Sequence, residues 1–292
     1  MLRQRLITAV VLIAMVLAFA FVAPTHVFAG FIALVAWLGG FEWARLAGFG
    51  PRVCGAYAAL IVALVLGLWL GVGVVDRDGL ELMGGVTFGA IEVLAVSAAW
   101  WTLVLVVLAM YEPGLSRGRL MHVWPAVVLL VGLFALVPSA NALIWLHALG
   151  PMWLLAPMAL VAAADTGAYF VGRRFGRHAL APSISPGKTR EGVLGAVFAV
   201  VALGAIWAAA LGFEGWNALQ FILLGVIVGL WSVSGDLFES VLKRERGVKD
   251  SGQILPGHGG VLDRIDSLLV AAPLFLLGIL LLEGLGVFGL PG

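Results

Sequence analysis

Residues 191–212 read EGVLGAVFAVVALGAIWAAALG. After Glu191 no charged residue appears until the run ends. A helix rises 1.5 Å per residue, so about 20 residues cover the roughly 30 Å hydrocarbon core of a bilayer. Lipid offers backbone groups no partner, so such a run must bond its own amides and carbonyls, as a helix does. Outward from it the pattern repeats. Further apolar runs occupy about 6–23, 27–48, 53–73, 86–110, 121–138, 152–172, 216–240 and 265–286, and no strand-like alternation appears. The whole chain of 292 residues is 62% hydrophobic and only 11% charged, against roughly 25% charged for a soluble domain. The expectation is an all-α polytopic membrane protein with about nine transmembrane helices. The run after Met1-Leu-Arg-Gln-Arg5 is about 18 residues, long for a signal peptide, so a retained first helix is expected.

The loops test the count. With nine spans and a cytoplasmic N-terminus, every one of the 17 lysines and arginines except Arg77 falls on the cytoplasmic side. Arg77 sits in an acidic loop with Asp76, Asp78 and Glu81. This is the asymmetry of the positive-inside rule, and it places the C-terminus outside. A net charge of +1 gives no field directed at nucleic acid, and the one cysteine, Cys54, allows no intramolecular disulfide. No linker or repeat divides the chain. One integral membrane domain, 1–292, is expected, with 1–150 mainly scaffold and 151–292 carrying catalytic helices and cytoplasmic loops.

Charge becomes dense beside glycine and proline between 165 and 267, in three segments: Asp165 to Gly192, Ser234 to Arg246, and Lys249 to Ser267. In the last, Asp250, Asp263 and Asp266 are hard oxygen donors among Lys243, Arg244, Arg246, Lys249 and Arg264. Pro256-Gly-His-Gly-Gly260 can bring backbone amides to an anion. Asp263 and Asp266 share one helix face. Carboxylates among cations and glycines suggest magnesium bound together with polyphosphate. Asp236 and Glu239 follow a long apolar run, a depth at which acids face protein or water. Asp236 complements Asp263 as a metal ligand, with Asp165 and Asp266 as secondary candidates. Lys188 and Arg190 either clamp phosphates from a helix start or anchor the membrane edge. For Glu42, an ion pair with Arg45 is expected.

At these segments the chain resembles the bacterial phosphatidate cytidylyltransferases, or CDP-diacylglycerol synthases. The resemblance rests on Ser240-x-x-Lys-Arg-x4-Lys249-Asp-Ser-Gly-x3-Pro256-Gly-His-Gly-Gly-x-x-Asp263-Arg-x-Asp266. Asp165-Thr-Gly-Ala-Tyr-x-x-Gly-Arg, Ser185-Pro-x-Lys-Thr-x-Glu-Gly192 and Gly235-Asp-Leu-x-Glu-Ser240 agree as well. It is strong over about 160–270. Gly187 departs from it, standing where a second lysine is expected. The resemblance implies that CTP and phosphatidic acid yield CDP-diacylglycerol and pyrophosphate at the cytoplasmic face of the inner membrane. It implies catalytic roles for Asp236, Asp263, Lys188, Lys249 and Arg264. Substrate binding would fall to Ser185, Arg190, Lys243, Arg244 and the loop His258-Gly259-Gly260. Magnesium, a second monovalent cation and a homodimer are implied as well. Which cation holds which phosphate stays open. Asp165, Asp236 and Glu92 also suit a transporter of an anionic solute, or the chain could use another lipid acceptor.

Overall fold

A computed structural model describes residues 2–71, 86–110, 125–182, 184–255, 257 and 259–284, with the side chains of 2–6 and 86–88 left aside. His258, the Arg77 loop and the loop with Arg117 and Arg119 lie outside the described residues. Nine long helices occur among the described residues. They are α1 (Leu2–Val22), α2 (Thr25–Leu46), α3 (Pro51–Gly71), α4 (Val86–Ala109), α5 (Pro125–Leu149), α6 (Pro151–Phe175), α7 (Arg190–Ala210), α8 (Gly215–Arg246) and, after a short α9 (Leu262–Ile265), α10 (Leu268–Gly284). Eight are long and apolar enough to cross a membrane, and α1 adds a shorter apolar stretch, Ile7–Val22. The expected all-α polytopic class holds.

Helix α10 is the centre. It touches α4, α5, α6 and α8, and Val270, Ala271, Phe275 and Ile279 are fully buried. Around the outside, Val10, Val11 and Ile13 of α1, Val106 of α4 and Phe198 and Ile206 of α7 stay exposed. Such an apolar girdle is costly in water and comfortable in lipid. Tight seams hold the bundle together. Gly167 of α6 faces the Gly195 carbonyl of α7, and Gly195 faces the Gly167 carbonyl, so a Cβ at either would overlap the partner backbone. Small residues bring helices this close where lipid supplies no hydrophobic drive between them.

Two departures from the sequence reading have physical causes. The fifth apolar run ends near Pro138, but α5 carries Pro138 in its interior and continues to Leu149. A spanning helix packed among neighbours tolerates such a proline, and residues 135–142 are buried here; just beyond it Asn141 donates to the Val137 carbonyl at 3.0 Å, and Ser139 ties α5 to α10 by donating to the Leu268 carbonyl at 3.1 Å. The second departure is a two-stranded antiparallel hairpin between α6 and α7, β1 (Ala179–Ala181) with β2 (Ser185–Thr189). It sits in a connecting loop, where the apolar pattern that governs the spans has no say.

Glu42 is also not where the sequence puts it. Its side chain and that of Arg45 both grip the distant loop after α8 instead of pairing with each other. The Glu42 Oε2 accepts from the Leu262 amide at 2.9 Å and the Ser251 hydroxyl at 3.1 Å, while Arg45 Nη2 donates to the Ser251 carbonyl. Glu42 is 1% exposed, and a Cβ on Gly252 or Gly260 would overlap its carboxylate. Those two glycines let the loop close over a buried acid.

Two outcomes follow from this packing. Glu42→Ala strands the Leu262 amide and costs about 1–3 kcal/mol. A thermal unfolding curve in detergent should therefore fall by several degrees, while Glu42→Gln, which keeps an acceptor oxygen, should fall less. Equal midpoints for Glu42→Ala and the parent would refute the anchoring role. Similarly, Gly195→Ala should lower the midpoint far more than Gly204→Ala, whose new Cβ would meet ordinary contacts at 3.6 Å.

Candidate active site

The hairpin carries the first site residue. Helix α7 begins at Arg190 with Thr189 as its cap, its hydroxyl accepting from the Gly192 amide at 3.1 Å. Glu191 closes the hairpin base. Its Oε2 accepts from the Arg177 and His178 amides at 3.1 and 3.3 Å, and its Oε1 pairs with His178 Nδ1 at 2.6 Å. Strand β2 thereby holds Lys188, whose Nζ lies 2.7 Å from Asp236 Oδ2 on α8. The other Asp236 oxygen accepts from Ser240 at 3.3 Å. Asp165 of α6 stands close enough to feel the charges of both Lys188 and Asp236. Asp266 is likewise within electrostatic reach of Asp236.

These groups border a pocket of about 210 Å³, lined by Asp165, Tyr169, Lys188, Thr189, Val193 and Val233 among others. Most of its wall is apolar, and Asp165 and Lys188 supply its charges. It opens where Tyr169 and Phe170 of α6 and Leu194 of α7 are exposed. Gly187 also lines it with open space around its Cα, so the missing second lysine leaves the mouth roomier and one charge poorer.

Asp263 belongs to a second cluster, held more rigidly. Its Oδ1 accepts from Lys243 Nζ at 2.7 Å. Its Oδ2 accepts from the Gly260 amide at 2.8 Å and from the Ser251 amide and hydroxyl, each at 2.9 Å. Lys243 spans to Glu239 Oε2 at 2.9 Å. Gly259 adopts φ +83, and a Cβ there would lie 2.6 Å from Asp263 Oδ2. Only glycine suits both the backbone angle and the space. The two clusters meet where Gly235 of α8 packs against the Asp266 carbonyl, a contact any side chain would block.

The remaining candidates distribute unevenly. Ser185 is half-buried at the start of β2, and Arg190, Arg244, Lys249 and Arg264 are exposed. Lys249 lines a different cavity from Lys188. The sequence reading missed Ser251, Glu239 and Glu191 as organisers. The signal for Ser251 lay in its place between Asp250 and Gly252, and nothing in the sequence pointed to its partners.

A divalent cation was tested against these residues. Asp236, Asp165 and Asp266 supply the hard oxygens that magnesium takes, and the Lys188 ammonium already places positive charge against Asp236. The donor chemistry fits. Among the described residues no group of three or more His, Cys, Asp or Glu side chains converges to hold a metal ion. The Gly235 contact makes a separate prediction. Gly235→Ala should push α8 from Asp266, lower the unfolding midpoint by several degrees and reduce activity together. Normal values of both would refute the close approach.

Comparison with known proteins bears on the family of the whole chain. A profile described as the Cytidylyltransferase family matches residues 3–282. The chain is 42% identical over 283 residues to a phosphatidate cytidylyltransferase of Pseudomonas aeruginosa, covering 94% of this chain and 96% of that one. It is 37% identical over 290 residues to one of Haemophilus influenzae, covering 94% and 97%. A Staphylococcus aureus phosphatidate cytidylyltransferase is 47% identical over 138 residues, covering 46% of this chain and 50% of that one. A match of this reach, from the first helix to the last, makes the chain a member of the cytidylyltransferase family.

Proposed function

We propose that the chain transfers the cytidylyl group of CTP to phosphatidic acid, giving CDP-diacylglycerol and pyrophosphate. We place this reaction at the cytoplasmic face of the inner membrane, with the N-terminus inside and the C-terminus outside. The observation that carries the reading is the Lys188–Asp236 pair at 2.7 Å, beside a pocket whose lining sets Asp165 and Lys188 among mostly apolar residues. A lipid phosphate can enter such a pocket sideways while a nucleotide arrives from water. The activity named for the full-length relatives supports the choice of substrates.

The chemistry asks little covalent work of the protein. A phosphate oxygen of phosphatidic acid attacks the α-phosphorus of CTP, and the bond from that phosphorus to the bridging oxygen of the β-phosphate breaks. Pyrophosphate leaves. The nucleophile is already ionised, so no side chain needs to activate it. The barrier comes from bringing anions together, and positioning and electrostatics lower it. Lys188 supplies positive charge at the pocket. Asp236 orients Lys188, and Lys243 holds Asp263 in its cradle. Magnesium, when bound by Asp236 with Asp263, Asp165 or Asp266, would neutralise phosphate oxygens and ease departure of pyrophosphate.

Purified protein given CTP, phosphatidic acid and magnesium should release pyrophosphate, and a chelator should stop it. Asp236→Ala and Asp263→Ala should each reduce release by about a hundredfold or more while the protein still inserts. Near-normal turnover in Asp236→Ala would sink the site assignment. Release with other lipid acceptors, but not with phosphatidic acid, would replace the substrate.

A further inference from the structure

Beside the loop that Glu42 anchors lies a second cavity of about 540 Å³, lined by Arg45, Leu46, Arg246 and residues 248–253. It shares no lining residue with the Lys188 pocket. We propose that it is a separate binding site for a phosphate-bearing anion, held by Arg45, Arg246 and Lys249.

Three observations carry this. The lining brings three cations together against one carboxylate, Asp250, and even with the Glu42 carboxylate behind Gly252 counted as well the cations stay in excess, as an anionic phosphate requires. The cations come from opposite ends of the sequence, so their meeting is a product of the fold. The positive-inside rule requires cations in cytoplasmic loops but does not gather them around one hollow. Finally, one of the three is tied by a hydrogen bond and a second packs against backbone. Arg45 is tied to the Ser251 carbonyl, and that loop is itself pinned by Glu42. Arg246 lies against Gly48, where a Cβ would come within 3.2 Å of its Nη1. Gly48 has φ +97, so the residue that ends the α2 turn is also the one that leaves Arg246 its seat. The carbonyl end of α2, with its partial negative charge, favours a guanidinium there. Cations ordered before a ligand arrives lose less freedom on binding it, and guanidinium forks suit phosphate oxygens.

The chemistry is shared by two sources, a soluble polyphosphate and the headgroup of an anionic lipid. Both can be tried on the intact protein. In the first arm, titration calorimetry measures inorganic pyrophosphate binding in neutral phosphatidylcholine discs, without added divalent metal. In the second, native mass spectrometry counts phosphatidylglycerol retained by the detergent-solubilised protein. Arg246→Glu should weaken one of these by about tenfold or more, with Arg246→Gln intermediate. The affected arm identifies the source. Arg174→Glu, an exposed cation at the end of α6, should change neither arm by more than about twofold. Binding in both arms within about twofold of the parent for Arg246→Glu would overturn the proposal. So would an equal loss in Arg174→Glu, since bulk charge would then explain the effect.

Discussion

The Ser251 hydroxyl stands between two carboxylates, Glu42 at 3.1 Å and Asp263 at 2.9 Å. One comes from the second helix and the other from the loop before the last. A hydroxyl has one proton to give and two acidic neighbours that want it. The arrangement holds because backbone amides share the load: Leu262 donates to Glu42, and Gly260 and Ser251 donate to Asp263. Break that knot and the loop loses its floor, Asp263 loses its orientation, and the N-terminal helices lose their hold on the C-terminal half. The network is not complete, since Glu42 Oε1 is buried without a hydrogen-bond partner among the described residues, but each of its other carboxylate oxygens is served, and bonds in so dry a place resist rearrangement.

The N-terminal half is therefore more than a support. Its second helix reaches the chemistry through Glu42 and Arg45, and Trp43 between them donates to the Val128 carbonyl at 2.8 Å, locking the same turn to α5. Three polar handles within four residues near the end of a span serve a loop, a helix and a cavity. The charged groups of the C-terminal half then fall into two sets. Lys188, Asp165 and Asp236 gather around the α6–α7 pocket, and Lys243, Glu239 and Asp263 form a load-bearing set beside it.

Much of this was legible in the sequence. Apolar length and loop charge gave the spans, because bilayer thickness leaves helices little freedom in length. The acids at 165, 236, 263 and 266 stood out because charge at that depth is costly. What the sequence could not give was pairing. Glu42 beside Arg45 reads as a local ion pair, yet both side chains turn to a loop some two hundred residues away, where a buried carboxylate finds amide donors. The fifth apolar run stops at Pro138, yet the helix continues to Leu149 because packing on every side holds it there. Lys188 reads either as a phosphate clamp or as a membrane-edge anchor, and only a hairpin, invisible in the hydropathy, turns it toward Asp236.

That hairpin is short and fastened at both ends, by α6 on one side and by the Thr189 and Glu191 bonds on the other. Its strands have little slack, and neighbouring residues along a strand point to opposite faces. Lineages of this chain can therefore vary what Lys188 is flanked by more freely than how many residues separate it from Arg190. A single residue inserted between Lys188 and the start of α7 would turn the lysine to the opposite face and leave Asp236 without its partner, so the hairpin constrains length more than composition.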